Sequence, residues 1–258
     1  MLNVIRELWA YRVLIQTLVL RELKARYRGS TLGLLWTLLN PLLHMTIYAL
    51  VFSVYMRIDM EHYAVFLLTG LLPWIWLSSS LTAGATSIVV EGQLLKKVFF
   101  PPQVLPAVSV IVNLLNFALG LPLLIVFLIS AGLRPGPAVL ALPLLVACQF
   151  AFTLGVCLVV ATASVRYRDV PQILGHLLTF WFFLTPIIYP IEVVPEAFRP
   201  VLAVNPMTSF MSAYQLVLME GALPTPATMV TIVVLSGAGL WLGSLAFERF
   251  RWVCVEEI

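Results

Sequence analysis

The sequence predicts an all-α, polytopic membrane protein: six transmembrane helices, an N-terminal amphipathic interface helix, and an external re-entrant helical hairpin between spans five and six. Three observations carry this. Of 258 residues, 61% are hydrophobic and 10% charged, and a mean hydropathy of +1.02 leaves little room for a water-soluble domain. Six apolar stretches, 31–56, 63–90, 103–130, 138–164, 171–189 and 227–247, approach or exceed the roughly 20 residues that a helix needs to cross a hydrocarbon core. Twelve of the fifteen Lys and Arg fall in segments that these spans place on one side, with only Arg57, Arg134 and Arg199 on the other. The positive-inside rule then puts both termini in the cytoplasm, which an even number of spans requires. The net charge of +3 is accounted for by this one-sided basic surface, suited to anionic headgroups, so no nucleic-acid partner is expected.

The chain divides into a cytoplasmic segment, 1–30, and a six-span domain, 31–258. In the first segment Ile5, Leu8 and Trp9 recur at helical spacing beside Arg6, Glu7 and Arg12. Such a helix lies either in the cytoplasmic membrane interface or against its own protein. No short apolar region with a small-residue cleavage site precedes span one, so no cleaved signal peptide is predicted. Gly29 and Gly33 allow close approach at the start of that span.

Proline interrupts spans one to five at Pro41, Pro73, Pro106, Pro122, Pro143 and Pro186. Each removes a backbone hydrogen bond that neighbours or water must replace. The kinks fit a bundle surrounding a cavity, or are static bends of an ordinary bundle. The segment 190–226 is too long and apolar for a simple external loop. Its prolines leave only the 13-residue run 207–219 unbroken, too short to cross, which predicts a re-entrant hairpin entering the outer leaflet.

The missing charges exclude several functions. No Asp, Glu, Lys or Arg lies centrally in a span, although ion- and proton-coupled transporters keep such groups there despite a cost of roughly 2.5–3.5 kcal/mol. His44 and His176 are the histidines inside, and a lone histidine suits packing better than a proton relay. There is no paired-carboxylate or His-rich metal constellation, so neither a catalytic residue nor a metal site is predicted. Cys148, Cys157 and Cys254 form no disulfide or metal spacing. None of the three lysines follows a glycine, as a phosphate-binding loop requires. If the chain transports actively, the energy enters from a partner.

Two cytoplasmic loops offer that partner a surface. The loop 91–102 combines a short amphipathic helix carrying Gln93, Leu94, Lys96 and Lys97 with Phe99, Phe100 and a rigid Pro101-Pro102 exit. Large apolar side chains beside paired charges suit docking, unless the two phenylalanines simply begin the next span. The loop 165–170 is a second polar turn, with Arg166, Arg168 and Asp169.

At these residues the sequence resembles the membrane subunit of type-2 ATP-binding-cassette exporters, specifically those moving lipid-linked O-antigen, capsular polysaccharide or teichoic acid. The resemblance runs from Arg26-Tyr27-Arg28-Gly29-Ser30-Thr31-Leu32-Gly33-Leu34-Leu35-Trp36 through Asn40-Pro41, Leu95-Lys96-Lys97 and Tyr167-Arg168-Asp169-Val170. It continues to Thr185-Pro186-Ile187-Ile188-Tyr189 and Asn205-Pro206-Met207. It implies a homodimer in the cytoplasmic membrane with two copies of a cytoplasmic ATPase, on which ATP and Mg bind; this chain itself binds no cofactor. It further implies that 91–100 is the coupling helix and 166–170 a secondary contact. The external gate falls on the hairpin at Pro190, Pro206, Met207, Phe210 and Tyr214. For a polyprenyl-linked polysaccharide the expected channel lining is Trp36, then His44, Tyr48, Phe52 and Tyr55 at helical spacing on span one, with His176, Phe180 and Phe183 on span five. Sugar C–H faces pack on such rings and sugar hydroxyls bond to Tyr or His, whereas the same stripes also suit plain packing. An exporter of a drug, peptide or lipid is the alternative reading; a membrane scaffold or transferase is the alternative from another class.

Overall fold

The computed structural model describes residues 1–57, 60–98, 100–134 and 136–250, so Phe99, Arg251 and Cys254 lie outside the described residues. The described residues are helical throughout, with no strand. Helix α1 (Leu2–Ala10) and α2 (Arg12–Tyr27) lead to α3 (Trp36–Ala49), which begins in a 3-10 turn and ends in a π-helical turn, Leu50–Tyr55. There follow α4 (Tyr63–Val90), the short α5 (Gly92–Lys97), α6 (Val104–Ser130), α7 (Leu142–Arg166) and α8 (Val170–Phe183). The chain closes through α9 (Arg199–Val204), α10 (Pro206–Gln215) and α11 (Pro226–Phe250).

Five helical segments are long and apolar enough to span: Gly33–Tyr55, Tyr63–Val90, Val104–Ser130, Pro137–Arg166 and Pro226–Phe250. The predicted fifth span is the exception. Helix α8 has 14 residues, about 21 Å at 1.5 Å per residue, short of a core roughly 30 Å thick. Pro186 is the reason: it bars Thr185 from helical geometry, so the helix stops ahead of it. The segment nevertheless connects the same two ends as α4. Pro171 lines a cleft with Thr86 and Val90 near the C-terminal end of α4, while the Tyr63 hydroxyl at its N-terminal end donates to the Ile188 carbonyl at 2.6 Å. Span five is thus a short helix plus a packed turn.

Contacts sort the connections between two ends. At one, the Met1 amino group lies 3.8 Å from Glu248 and Arg21 pairs with Glu91 at 2.5 Å, while Gln103 donates to Glu7. At the other, Gly136 packs against Gly221. Arg57, Arg134 and Arg199 are the described Lys and Arg belonging to this second end. The helix pair 196–204 and 206–220 is bent by 98°. It starts and finishes at this end and dips between: the Tyr214 ring reaches Phe117, in mid-α6, at 6.2 Å, and Phe210 reaches Phe152 at 5.7 Å. The hairpin is re-entrant.

Its elbow is held by one side chain. Asn205 Oδ1 accepts from the Trp181 indole at 2.7 Å and from the Met207 amide at 3.0 Å. Its Nδ2 donates to the Leu184 carbonyl at 3.1 Å and Thr185 Oγ1 at 3.0 Å. Asn205 thereby caps α10 and fastens it to the end of α8.

The prolines do not act alike. Pro41, Pro73 and Pro122 lie inside helices; at Pro73, Gln149 Nε2 from α7 donates to the proline carbonyl at 2.8 Å, supplying a donor beside the broken turn. Pro106 and Pro143 sit in the first turns of α6 and α7, where the amide has no helical partner to lose. They break nothing.

Close approach does the work that charges do elsewhere. A Cβ on Gly155 of α7 would lie 2.2 Å from the Gly239 carbonyl oxygen of α11, and one on Gly243 would lie 2.1 Å from the Gly155 oxygen. A Cβ on Gly84 of α4 would meet Cys157 Sγ at 2.1 Å. Backbones this close gain dispersion contacts along the crossing, the main attraction available between helices in lipid. In the N-terminal segment the two sequence alternatives combine. Val4, Ile15, Leu18 and Val19 are buried, while Trp9 is 72% exposed with Val13 and Leu20 also outward.

Two stability predictions follow from this packing. Gly155→Ala should destabilise the detergent-solubilised protein by about 1–3 kcal/mol through overpacking. Gly237→Ala, whose Cβ meets nothing within 4 Å, should leave the melting temperature unchanged or slightly higher. Asn205→Ala should cost about 2–3 kcal/mol by leaving the Trp181 and Met207 N–H groups and the Leu184 carbonyl unmatched, and it should expose the 206–220 helix to limited proteolysis first.

Candidate functional site: an aromatic and hydroxyl groove

A groove of about 860 Å³ runs between α3, α4 and α8. One wall is aromatic. Tyr48 and Phe182 lie 5.4 Å apart between ring centroids, Phe182 and Trp74 5.6 Å, and Phe182 and Phe183 5.3 Å, with His44 6.3 Å from Tyr48. His44 Nδ1 sits 2.8 Å from the Asn40 carbonyl. A carbonyl only accepts, so this nitrogen carries a proton.

The floor is a ladder of hydroxyls on α4. Ser78, Thr82 and Thr86 all line the groove. Their hydroxyls donate to the carbonyls of Ile75 (3.4 Å), Ser78 (2.8 Å) and Ala83 (3.3 Å) respectively. With the proton spent inside the helix, each oxygen keeps lone pairs for a donor in the groove. Flat rings opposite a row of acceptors suit a ligand with apolar faces and hydroxyl edges. These rings and hydroxyls carry no full charge, which allows contact without a tight grip; Arg26 is the charged residue that also lines the groove.

Three of the residues expected to line a channel border this groove. His44, Tyr48 and Phe183 line the groove. Phe52 is half-buried against the core, and Tyr55 is 73% exposed; neither lines it. Both follow the switch to π-helical winding at Leu50, whose wider turn carries later residues off the His44–Tyr48 face. On α8 the groove side is Gly175, Thr179 and Phe182. His176 and Phe180 occupy the next ridge, where both are exposed. Trp36 lines a smaller chamber adjoining the groove. Trp74, Phe182 and the hydroxyl ladder were not anticipated. The available signal was the spacing of Ser78, Thr82 and Thr86 at i, i+4 and i+8 in an otherwise apolar span, which puts three polar groups on one helix face.

The residues proposed for the external gate are mostly interior. Met207, Phe210 and Tyr214 are buried, Pro206 opens α10, and Pro190 is half-buried in the turn before it. In this conformation they anchor the hairpin in the bundle.

At the opposite end, α5 exposes Gln93, Lys96 and Lys97 while Leu94 is half-buried. The lysines occupy its last turn, where the helix dipole favours cations. The Arg21–Glu91 pair ties the start of this helix to α2. Phe100 is buried and packs as the start of the next span. Arg166 and Arg168 line a cleft of about 660 Å³ with Val89 and Val90, between the ends of α4 and α7; Asp169 is exposed at the start of α8. The two predicted loops therefore flank one end of the bundle, and the cleft adjoins the groove through Thr86 and Pro171, which line both.

Comparison with known proteins places this architecture. Residues 13–219 match the ABC-2 type transporter family. The chain is 44% identical over 260 residues to the O-antigen export system permease protein RfbA of Myxococcus xanthus, covering 100% of both chains. It is 36% identical over 204 residues to the protein of the same name from Klebsiella pneumoniae, covering 79% of each. Similarity extends to the polysialic acid transport protein KpsM of Escherichia coli, at 23% identity over 243 residues, 93% of this chain and 94% of that one. The chain belongs to the ABC-2 type transporter family, as a membrane-embedded permease subunit.

Proposed function

We propose that this chain forms, as a homodimer with two copies of a cytoplasmic ATPase, the membrane path by which a polyprenyl-linked polysaccharide leaves the cytoplasm. The single observation that carries the reading is the groove. Its aromatic wall and acceptor ladder offer what a glycan needs, ring faces for C–H contact and oxygens for its hydroxyl donors. The names of the relatives, O-antigen export permeases and a polysialic acid transport protein, point the same way.

The remaining parts follow from physics. Lys and Arg concentrate at the end carrying α1, α2 and α5, so that end faces the cytoplasm of the inner membrane and both termini lie there. ATP and Mg bind on the partner, which docks on α5 and the turn with Arg166, Arg168 and Asp169. Movement of the ATPase pair reaches the groove through α8, whose first turn is at the docking surface and whose last turn carries Phe182 and Phe183. A second copy of the chain closes the open side of the groove. The re-entrant hairpin, latched to α8 by Asn205, opens the outer end.

The test is ATP-driven translocation of lipid-linked glycan in vesicles containing both subunits. Reversing Lys96 and Lys97 to Glu should abolish transport and glycan-stimulated ATP hydrolysis while insertion, dimerisation and melting temperature stay unchanged. Tyr48→Leu with Phe183→Leu, which keeps apolar volume but removes flat rings, should lower transport about tenfold with stability within about 1.5 kcal/mol. Normal transport by both variants would refute the docking and lining assignments together.

A further inference from the structure

Beside the groove is a smaller chamber of about 220 Å³ between α2, α3, α4 and α6. We infer that it is a recognition site for one sugar ring of the substrate, next to its lipid-linked end, where the chain first enters the groove. This deepens the export reading above and rests on it.

Size comes first. Drug-sized ligand sites occupy roughly 300–1,000 Å³, so this chamber takes a single ring and excludes an oligosaccharide. Its apolar wall is the exposed ring of Trp36, with the chamber backed by the buried pair Trp76 and Phe117, centroids 5.2 Å apart and rings 27° from parallel. A pyranose C–H face fits such a surface.

The polar groups decide the chemistry. Asn113 is fully engaged, accepting from Arg26 at 3.1 Å and donating to the Ser109 carbonyl at 2.9 Å. Asn116 is half engaged: its Oδ1 accepts from the Tyr27 hydroxyl at 3.1 Å, and that hydroxyl in turn accepts from Thr37 at 2.6 Å. The Asn116 amide nitrogen, the Asn40 side-chain amide and Ser79 Oγ line the chamber and bond to no protein group among the described residues. Without protein partners, these groups keep their donors and acceptors available to a hydrogen-bonding occupant. Together they provide three donor groups and two acceptor groups at the edges of a flat slot, matching sugar hydroxyls.

Charge argues against a phosphate in the slot. Arg26, the cation on its rim, is paired with Glu22 at 3.2 Å as well as bonded to Asn113. The chamber is thus close to neutral. Arg26, Asn40, Ser79 and Asn113 line the chamber and the groove alike, so a ring held here is already at the groove's side and the lipid-linked phosphates lie outside the slot.

The experiment uses the complex with its ATPase in nanodiscs and three probes: bare polyprenyl pyrophosphate, and the same lipid bearing one hexose or one N-acetylhexosamine. Affinity is read from tryptophan fluorescence. The wild type should bind one glycosylated lipid about tenfold more tightly than the bare lipid, the effect of about two hydrogen bonds. Asn40→Leu with Asn116→Leu should erase that preference while leaving bare-lipid affinity within about twofold. Ser79→Ala, a smaller change that preserves packing, should reduce the preference about threefold and decides the matter should the double variant not assemble. Equal loss of affinity for all three lipids would overturn the sugar assignment in favour of a phosphate site, and an intact preference in the variants would overturn it outright. A wild type that translocates and binds no polyprenyl-linked glycan of any length would instead remove the export reading itself.

Discussion

The packing of α4 against α6 and α7 is the constraint on which the other helices depend. With no ion pair in the core among the described residues, these helices meet by shape: Gly84 receives the Cys157 sulfur and Gly120 of α6 approaches Leu72, while Gly70 approaches Ile187 in the turn after α8. The Trp76 indole donates to the Val110 carbonyl at 3.3 Å, adding a directional contact between α4 and α6. Surrounded in this way, α4 is buried along 78% of its most apolar window, against 11% for the first span. The strip that α4 leaves open carries Ser78, Thr82 and Thr86. The groove is therefore a consequence of where the bundle does not close, and its hydroxyl floor is the polar face that such a helix cannot bury for free.

The brevity of α8 has a mechanical meaning. Helix and turn together connect the two ends, yet only the helical part is internally hydrogen-bonded. The remainder is fixed from outside, by Tyr63 at Ile188, by Gln215 donating to the Pro186 carbonyl at 3.2 Å, and by Asn205 at Leu184 and Thr185. A displacement of the turn at Arg166 to Asp169, the proposed docking surface, thus has a rigid rod to act on and a polar latch at its far end. Closely packed interfaces with few discrete arrangements switch more readily than they deform. Asn205 is the polar part of the hold on the hairpin; the buried Met207, Phe210 and Tyr214 supply its apolar part, so release of the hairpin has to break both.

Spans with continuous apolar runs were legible in the sequence almost to the residue, because length and hydropathy alone decide them: 63–90 was read as it is observed. The one-sided distribution of Lys and Arg matches the two ends of the bundle, since charge placement follows the membrane rather than packing. The elbow at Asn205-Pro206 was legible as a broken apolar run. Local winding and rotation were not. Nothing in Leu50–Tyr55 announces a π-helical turn, and that turn is what removes Phe52 and Tyr55 from the groove. On α8, His176 and Phe182 lie on different ridges of a helix apolar on nearly every side, so periodicity could not say which ridge faces inward. The effect of each proline depends on its position within its helix, which is readable from apolar runs only within several residues.

The central claim is that the glycan moves along the strip of α4 left open by the bundle. The direct measurement places a photoreactive side chain at Thr82, on the groove floor, and at Val234, exposed on the outer face of α11, then illuminates membranes during transport. The account predicts that the Thr82 position captures glycan in an ATP-dependent manner while the Val234 position captures lipid alone. Capture of glycan at Val234, with none at Thr82, would contradict it.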